Sequence, residues 1–187
     1  MAEVRNENKE RKPNADRKPR RDRNQAPKVV DEFDSKMVNV NRISKTVKGG
    51  RKMRFNALVV VGNRKGKVGI GMGKATEVSL AIEKATVAAK RNIIEVAMKG
   101  TTIPHEIDGI FETTKIIQMP SKEGNGVIAG GAVRDVVELA GIRDITTKLY
   151  GSNNPVNCVK ATFEGLKQLK TAEQLAHLRG VSVEQIG

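Results

Sequence analysis

The stretch from Asn41 to Ala75 constrains this chain more than any other. It reads NRISKTVKGGRKMRFNALVVVGNRKGKVGIGMGKA, with ten Lys or Arg, seven Gly and no Asp or Glu. Its β-prone runs are separated by Lys48-Gly49-Gly50-Arg51 and by Gly62-Asn63-Arg64-Lys65-Gly66, both turn signals. Ten like charges on a small sheet raise the free energy of the compact state unless a polyanion neutralises them. The segment is therefore expected to be an RNA-binding hairpin sheet that the remaining chain supports.

In detail, Val38 to Val47 reads as a first strand whose alternation slips near Arg42–Ile43, where a bulge is expected. Arg54 to Val61 is a second strand, with Phe55, Ala57, Val59 and Val61 on one face. Lys67 to Met72 is a third; Val68, Ile70 and Met72 point one way and Gly69, Gly71 and Gly73 the other. A strand face without side chains admits close approach, either of a packed helix or of a sugar–phosphate backbone. Thr76 is expected to cap a helix starting at Glu77, with Val78, Ile82, Ala85, Ala89, Ile93 and Val96 as its apolar stripe and Lys99-Gly100 closing it.

Gly100 to Pro104 marks a boundary. Beyond it the spacing predicts short strands over Thr101–Asp108 and Phe111–Gln118, a Gly-rich loop over Pro120–Gly131, a helix over Ala132–Ala140 stopped by Gly141, and a strand over Asp144–Tyr150. Asn154 caps a helix with Pro155 at its first position and Val159, Phe163 and Leu166 inward. Thr171 to Gln174 is a capping box for a last short helix ending at Gly180. The expected organisation is a basic, disordered tail over 1–30, a β-β-β-α RNA-binding domain over 31–100 and a second α+β domain over 101–187.

Charge agrees with that division. The net charge is +13, of which +5 falls in residues 1–28 and +10 in 41–75, while 76–187 carry thirteen of each sign. A basic tail of this kind either solubilises the chain or settles on RNA. One cysteine, Cys158, excludes an internal disulfide and a multi-cysteine zinc site and fits a reducing compartment. No apolar run approaches the roughly 20 residues of a membrane span. The first residues lack a secretory pattern, so the expected location is cytoplasmic.

Catalytic and cofactor chemistry find little support. The glycine-lysine pairs at Gly66-Lys67 and Gly73-Lys74 lack the spacing and the Ser or Thr of a phosphate-binding loop, although Gly73-Lys74 before a helix would favour an anion. Gly124 to Gly131 has one residue too many before its third glycine for a dinucleotide loop, and no acidic residue follows on a second parallel strand. His105 and His177 lie far apart with no ligand-spaced neighbours. No enzyme, cofactor or metal is expected. Aromatic content is 3%, so base stacking is unavailable and folded RNA read by shape is the fitting target. Its contacts are expected at Arg42, Ser44, Lys45, Thr46, Lys48, Gly49, Gly50, Arg51, Lys52, Arg54, Arg64, Lys65, Lys67 and Lys74.

Arg42-Ile43-Ser44-Lys45-Thr46-Val47-Lys48-Gly49-Gly50-Arg51, then Phe55-x-Ala57, then Val61-Gly62-Asn63-x-x-Gly66-x-Val68-Gly69-x-Gly71-x-Gly73-Lys74-Ala75, closely resemble the signature of the bacterial small-subunit ribosomal protein S5 family. Gly124-x-Gly126-x-Ile128-Ala129-Gly130-Gly131 and Tyr150-Gly151-Ser152-x-Asn154-Pro155 extend the resemblance, which covers about residues 38–185 and leaves out the tail. It implies an α+β protein: a three-stranded sheet plus helix like the double-stranded-RNA-binding fold, then a second α+β domain of βαβ type. It further implies small-subunit ribosomal RNA as partner, a place between the head and body of the subunit, and a part in translational accuracy. Ser44 to Arg51 resembles the hairpin tip that reaches RNA beside the spectinomycin site. Gly124, Gly126 and Arg134 match the region facing ribosomal protein S4, near where mRNA enters, and the second domain is implied to meet protein S8. The alternative on the residues alone is an RNA chaperone acting outside the ribosome.

Overall fold

The computed structural model describes residues 32–182 and 185, so the expectation for a tail over 1–30 lies outside the described residues. The described residues belong to one compact unit. It opens with β1 (Asp34–Val47), β2 (Gly50–Gly62) and β3 (Lys67–Ala75), followed by α1 (Val78–Arg91) and β4 (Ile93–Glu95). The strands pair antiparallel in the order β1-β2-β3-β4.

The glycine face of β3 lies against α1. A Cβ on Gly69, Gly71 or Gly73 would overlap the backbone of Ala89, Ala85 or Ala81 respectively. Two strand residues advance about 6.8 Å and four helical residues about 6 Å, so each glycine meets one alanine turn by turn. Of the two occupants open to that face, the structure selects the helix and excludes a sugar–phosphate backbone. Ala57, Val59 and Val61 complete this layer, with Phe33, Val40, Phe55 and Ile82 packed around it.

Four local expectations change. Thr76 is exposed and caps nothing; Glu77 occupies the N-cap without a side-chain hydrogen bond. Val78, expected inward, is 37% exposed, and Ala81 takes its place in the contact. The helix also stops at Arg91 rather than Lys99, because Asn92 leaves helical geometry and Ile93–Glu95 pair with Lys67–Gly69. An open sheet edge with unpaired backbone groups outcompetes further helix for two β-branched residues. The bulge falls between Met37 and Asn39, not at Arg42–Ile43. That shift turns Val38 toward the second half of the chain and Val40 toward α1.

The second half contains β5 (Ile107–Phe111), β6 (Thr114–Pro120), β7 (Val127–Ile128), α2 (Gly131–Ala140), β8 (Ile145–Gly151), α3 (Pro155–Gln168) and α4 (Ala172–Arg179). Its sheet runs β5-β6-β8-β7, with β7 parallel to β8, so β7-α2-β8 is a βαβ crossover. The strand expected over Thr101–Asp108 begins only at Ile107; before it, Lys99 and Thr102 form an isolated bridge. β7 was not expected, since two residues carry no periodicity. The helix ends follow the sequence closely. Gly141 turns left-handed at φ 95°, Asn154 Oδ1 accepts from the Val156 N–H at 3.1 Å, and Thr171 with Gln174 forms the capping box.

The two halves share one core. Leu58, Val60 and Val68, on the sheet face opposite α1, are buried with Ile103, Ile116, Val133, Val136 and Val137. The β2–β3 loop adds backbone bonds: the Arg64 N–H donates to Leu139 O at 2.9 Å and the Gly66 N–H to Ala140 O at 2.8 Å. These satisfy carbonyls that the C-terminus of α2 would otherwise leave open. Lys36 reaches Asp135 at 2.6 Å and Glu138 at 3.3 Å on the same helix. Over its inner part the expected RNA-binding sheet therefore has no open face, because protein covers both sides.

Gly71→Ala drives a methyl group into the Ala85–Ala89 backbone and should destabilise the protein by about 1–3 kcal/mol. Gly49→Ala, whose Cβ would point into open space at φ +94°, should cost about 1–2 kcal/mol from backbone strain alone. Urea midpoints compare the two; crowding at Gly71 is wrong if its variant unfolds no earlier than wild type.

Candidate nucleic-acid interface

Pairing with β3 begins at Phe55↔Ala75, but β1 and β2 continue past it to Val47↔Gly50. From Ile43↔Arg54 onward the hairpin is a two-stranded ribbon, projecting roughly 17 Å at strand rise. Lys48 and Gly49 form its turn, and the positive φ of Gly49 and Gly50 suits residues without a Cβ.

Strand alternation divides the ribbon's side chains between two faces. Arg42, Ser44, Thr46, Arg51 and Met53 share the α1 side, whereas Ile43, Lys45, Lys52 and Arg54 share the side of the second half. Lys45 and Lys52 are direct cross-strand partners. Every ribbon cation is exposed, and among the described residues none has a carboxylate partner.

The remaining expected contacts do not join this group. Arg64, Lys65 and Lys67 are exposed at the opposite end of β2, roughly 40 Å from the ribbon tip along the strand. There Asn63 Oδ1 accepts from the Lys65 and Lys67 N–H groups at 2.8 and 3.0 Å, which fixes the loop. Arg64 pairs with Asp34 at 3.0 Å. Lys74 stands at the ribbon's root, exposed, on β3. The anion site expected for Gly73-Lys74 at a helix N-terminus is not formed, because both lie within β3 and the exposed carboxylate Glu77 occupies the N-cap.

The Gly-rich loop is built differently. Gly124 and Gly126 have φ of +91° and +73°, and a Cβ on either would meet no atom within 4 Å. Their N–H groups donate to one oxygen of Asp144, at 3.0 and 2.9 Å. Asp144 is 5% exposed. The nearby Thr101 hydroxyl, then the Gly126 and Gly124 amides, hold its carboxyl below the usual carboxylate range against the opposing effect of burial. Thr101 Oγ1 meets no partner at full hydrogen-bond geometry, so its influence is a close approach and the two amide bonds carry the geometry. Arg134 is exposed in the first turn of α2, its N–H bonded to Gly130 O at 2.8 Å. Sequence reasoning missed Asp144: an acid just before a strand carries no signal that it binds a loop twenty residues back.

The histidines stay apart. His105 Nε2 accepts from the Lys170 N–H at 3.3 Å while its Nδ1 lies 2.9 Å from Glu106 O; His177 is exposed on α4. Burial pushes the Cys158 thiol up, away from a reactive thiolate. Among the described residues no helix is long and apolar enough to cross a membrane.

Comparison with protein families accounts for both halves of this arrangement. Residues 33–97 match ribosomal protein S5, N-terminal domain, and residues 109–179 match ribosomal protein S5, C-terminal domain. The matches follow one another in the order of the sheet-and-ribbon half and the βαβ half, and together span most of the chain. The chain thus belongs to the ribosomal protein S5 family, structural proteins of the small ribosomal subunit.

Proposed function

We propose that the protein binds small-subunit ribosomal RNA chiefly through the projecting ribbon and contacts neighbouring proteins through the glycine loop. The observation that carries the reading is the Lys45↔Lys52 pair on a ribbon with cations on both faces. A two-stranded hairpin is marginal by itself, and like charges directly opposite weaken it further. RNA phosphates on both sides remove that penalty, so the ribbon is suited to insert between RNA segments rather than lie on one. Bridging such segments would hold the head relative to the body of the subunit.

The second half has no net positive charge to offer RNA. Its loop at Gly124 and Gly126, with Arg134 beside it, suits a protein neighbour instead: S4 at this loop near the incoming mRNA, and S8 elsewhere on the domain. An interface that breaks when the subunit closes tunes decoding, since about 1.4 kcal/mol moves such an equilibrium tenfold. The protein works in the cytoplasm as part of the particle. Co-sedimentation with small subunits in high salt tests this against an RNA chaperone, which would wash off.

Binding of the purified protein to small-subunit ribosomal RNA should weaken with salt at a log–log slope of roughly −4 to −7. Lys45→Ala with Lys52→Ala should reduce that slope by about 1.4 to 1.8. The same pair should leave the free protein's urea midpoint unchanged or higher, because a repulsion is gone. A slope unmoved by the double substitution would refute the ribbon as the contact.

Asp144→Ala should leave the Gly124 and Gly126 amides without their carboxylate acceptor, lower the urea midpoint and speed the hydrogen exchange of both amides. A lowered folded pKa means this contribution is present above the ordinary carboxylate pKa. It is lost as pH falls through the folded value, below the usual carboxylate range. Protection of both amides that persists in Asp144→Ala would show the loop held by something else.

Gly126→Arg adds a long side chain and strain at φ +73° on the loop's open side, and should raise misreading. A misreading reporter in cells carrying only this variant checks it; normal error rates count against the loop as a tuning interface.

A further inference from the structure

At the root of the ribbon, one row of the sheet is only partly covered by protein and is not part of the cationic tip. Asn41, Asn56 and Lys74 are register partners across β1, β2 and β3. They share the face of Leu58 and Val60, and the cover given by the second half ends beside them. Along β2, Val60 and Leu58 are 0% and 2% exposed, Asn56 is half-buried and Arg54 exposed. Along β3, Val68 is buried, Ile70 half-buried, Met72 38% exposed and Lys74 exposed. The result is a polar shelf between a protein wall and the ribbon's Lys45–Lys52–Arg54 face.

One atom on that shelf is unsatisfied. Asn56 Oδ1 is buried and has no hydrogen-bond donor. A buried amide oxygen without a donor destabilises the free protein, whereas valine or threonine would fit a strand at no such cost. The terminal torsion of Asn is soft, so the amide can turn toward the shelf's open side. The neighbouring groups are an amide at Asn41 and an ammonium at Lys74.

We infer that Asn56, with Asn41, is a specificity-determining pair that hydrogen-bonds ribose 2′-hydroxyls of RNA whose phosphates engage Lys74 and the adjacent ribbon face. The inference rests on the ribosomal-RNA-binding reading and adds to it how RNA is told from DNA. A 2′-hydroxyl both donates and accepts, which matches an unpaired amide, and it is the group DNA lacks. The cations alone bind any polyanion and carry no such discrimination. The positive charge beside the row selects a nucleic-acid backbone over an acidic protein segment, because phosphates at regular spacing meet Lys74, Arg54 and Lys52 along one face.

The test measures fluorescence anisotropy of the full chain with an RNA duplex of about 16 base pairs and a DNA duplex of the same sequence. Wild type should prefer RNA. Asn56→Val should cut that preference roughly three- to tenfold, leaving DNA affinity and salt slope unchanged, while raising the urea midpoint. Asn56→Thr, which keeps a donor and acceptor, should restore most of the preference, and Asn41→Ala should lower it. The rise in stability removes misfolding as an explanation. A preference unchanged in Asn56→Val overturns the inference and leaves the ribbon reading intact, as does equally tight binding of RNA and DNA by wild type. Failure of wild type to bind either duplex or ribosomal RNA overturns the ribosomal-RNA reading and the inference with it.

Discussion

The inner half of the first sheet is closed on both faces, and that closure decides where everything else can be. On one side α1 seats its alanines on Gly69, Gly71 and Gly73. On the other, Leu58, Val60 and Val68 enter a core made largely by α2, α3 and β6. A buried sheet cannot host lysines, because an unpaired buried charge is too costly. The chain's positive charge is thereby expelled to the two ends of β2, where the strands outrun their cover. Glycine and alanine make the closure tight, and β1 and β2 emerge beyond it as a ribbon because β3 pairing ends at Phe55↔Ala75.

α2 ties the two candidate surfaces together. Its ten residues span about 15 Å. At its C-terminus the last carbonyls receive the Arg64 and Gly66 N–H groups. At its N-terminus Gly130 and Gly131 lead back to the loop pinned by Asp144. The loop on β2–β3 is thus a cap as well as a carrier of charge: its backbone completes a helix while Arg64, Lys65 and Lys67 remain exposed. Movement at the glycine loop has a rigid element through which to reach the first sheet. Lys36 and Glu138 are exposed and Asp135 is half-buried, so the pairs around Lys36 are partly screened by salt and the backbone bonds and the shared core are the firmer connection.

What the sequence made legible follows the range of the physics. Turns and many caps are decided by neighbouring residues, so the hairpin turn at Lys48–Gly49, the stop at Gly141, and the caps at Asn154 and Thr171 could be read directly, whereas the ends expected for α1 at Thr76 and Lys99-Gly100 could not. So could the odd-numbered face of β2 and the glycine face of β3, because alternation fixes them. β4 could not, since Ile93 and Ile94 satisfy helical spacing as well as they satisfy a strand, and the vacant sheet edge that captures them is made by Lys67–Gly69. β7 could not, being two residues held by a parallel neighbour. The bulge at Val38 exists to serve two cores at once, which one strand's pattern does not reveal. The ten cations looked like a single cluster because sequence proximity hides the length of β2, which separates Arg64, Lys65 and Lys67 from the ribbon.

Asn56 and Asp144 were invisible for a related reason, and the contrast between them is instructive. Each is a polar side chain placed where the chain's own cover ends. Asp144 finds two amides and is satisfied within the fold, so it stiffens a loop at no net loss of hydrogen bonds. Asn56 finds no donor, and the free protein carries that deficit beside a row of cations that repel one another. Both tensions sit at the ribbon and its root, and both are of a kind that a ribose–phosphate backbone relieves. A fold under selection for stability alone would place valine at 56 and mixed charges along the ribbon. Such a sequence would give a firmer free hairpin with less to gain from RNA. Under the proposed RNA-binding reading, stability withheld from the isolated protein is returned when RNA binds.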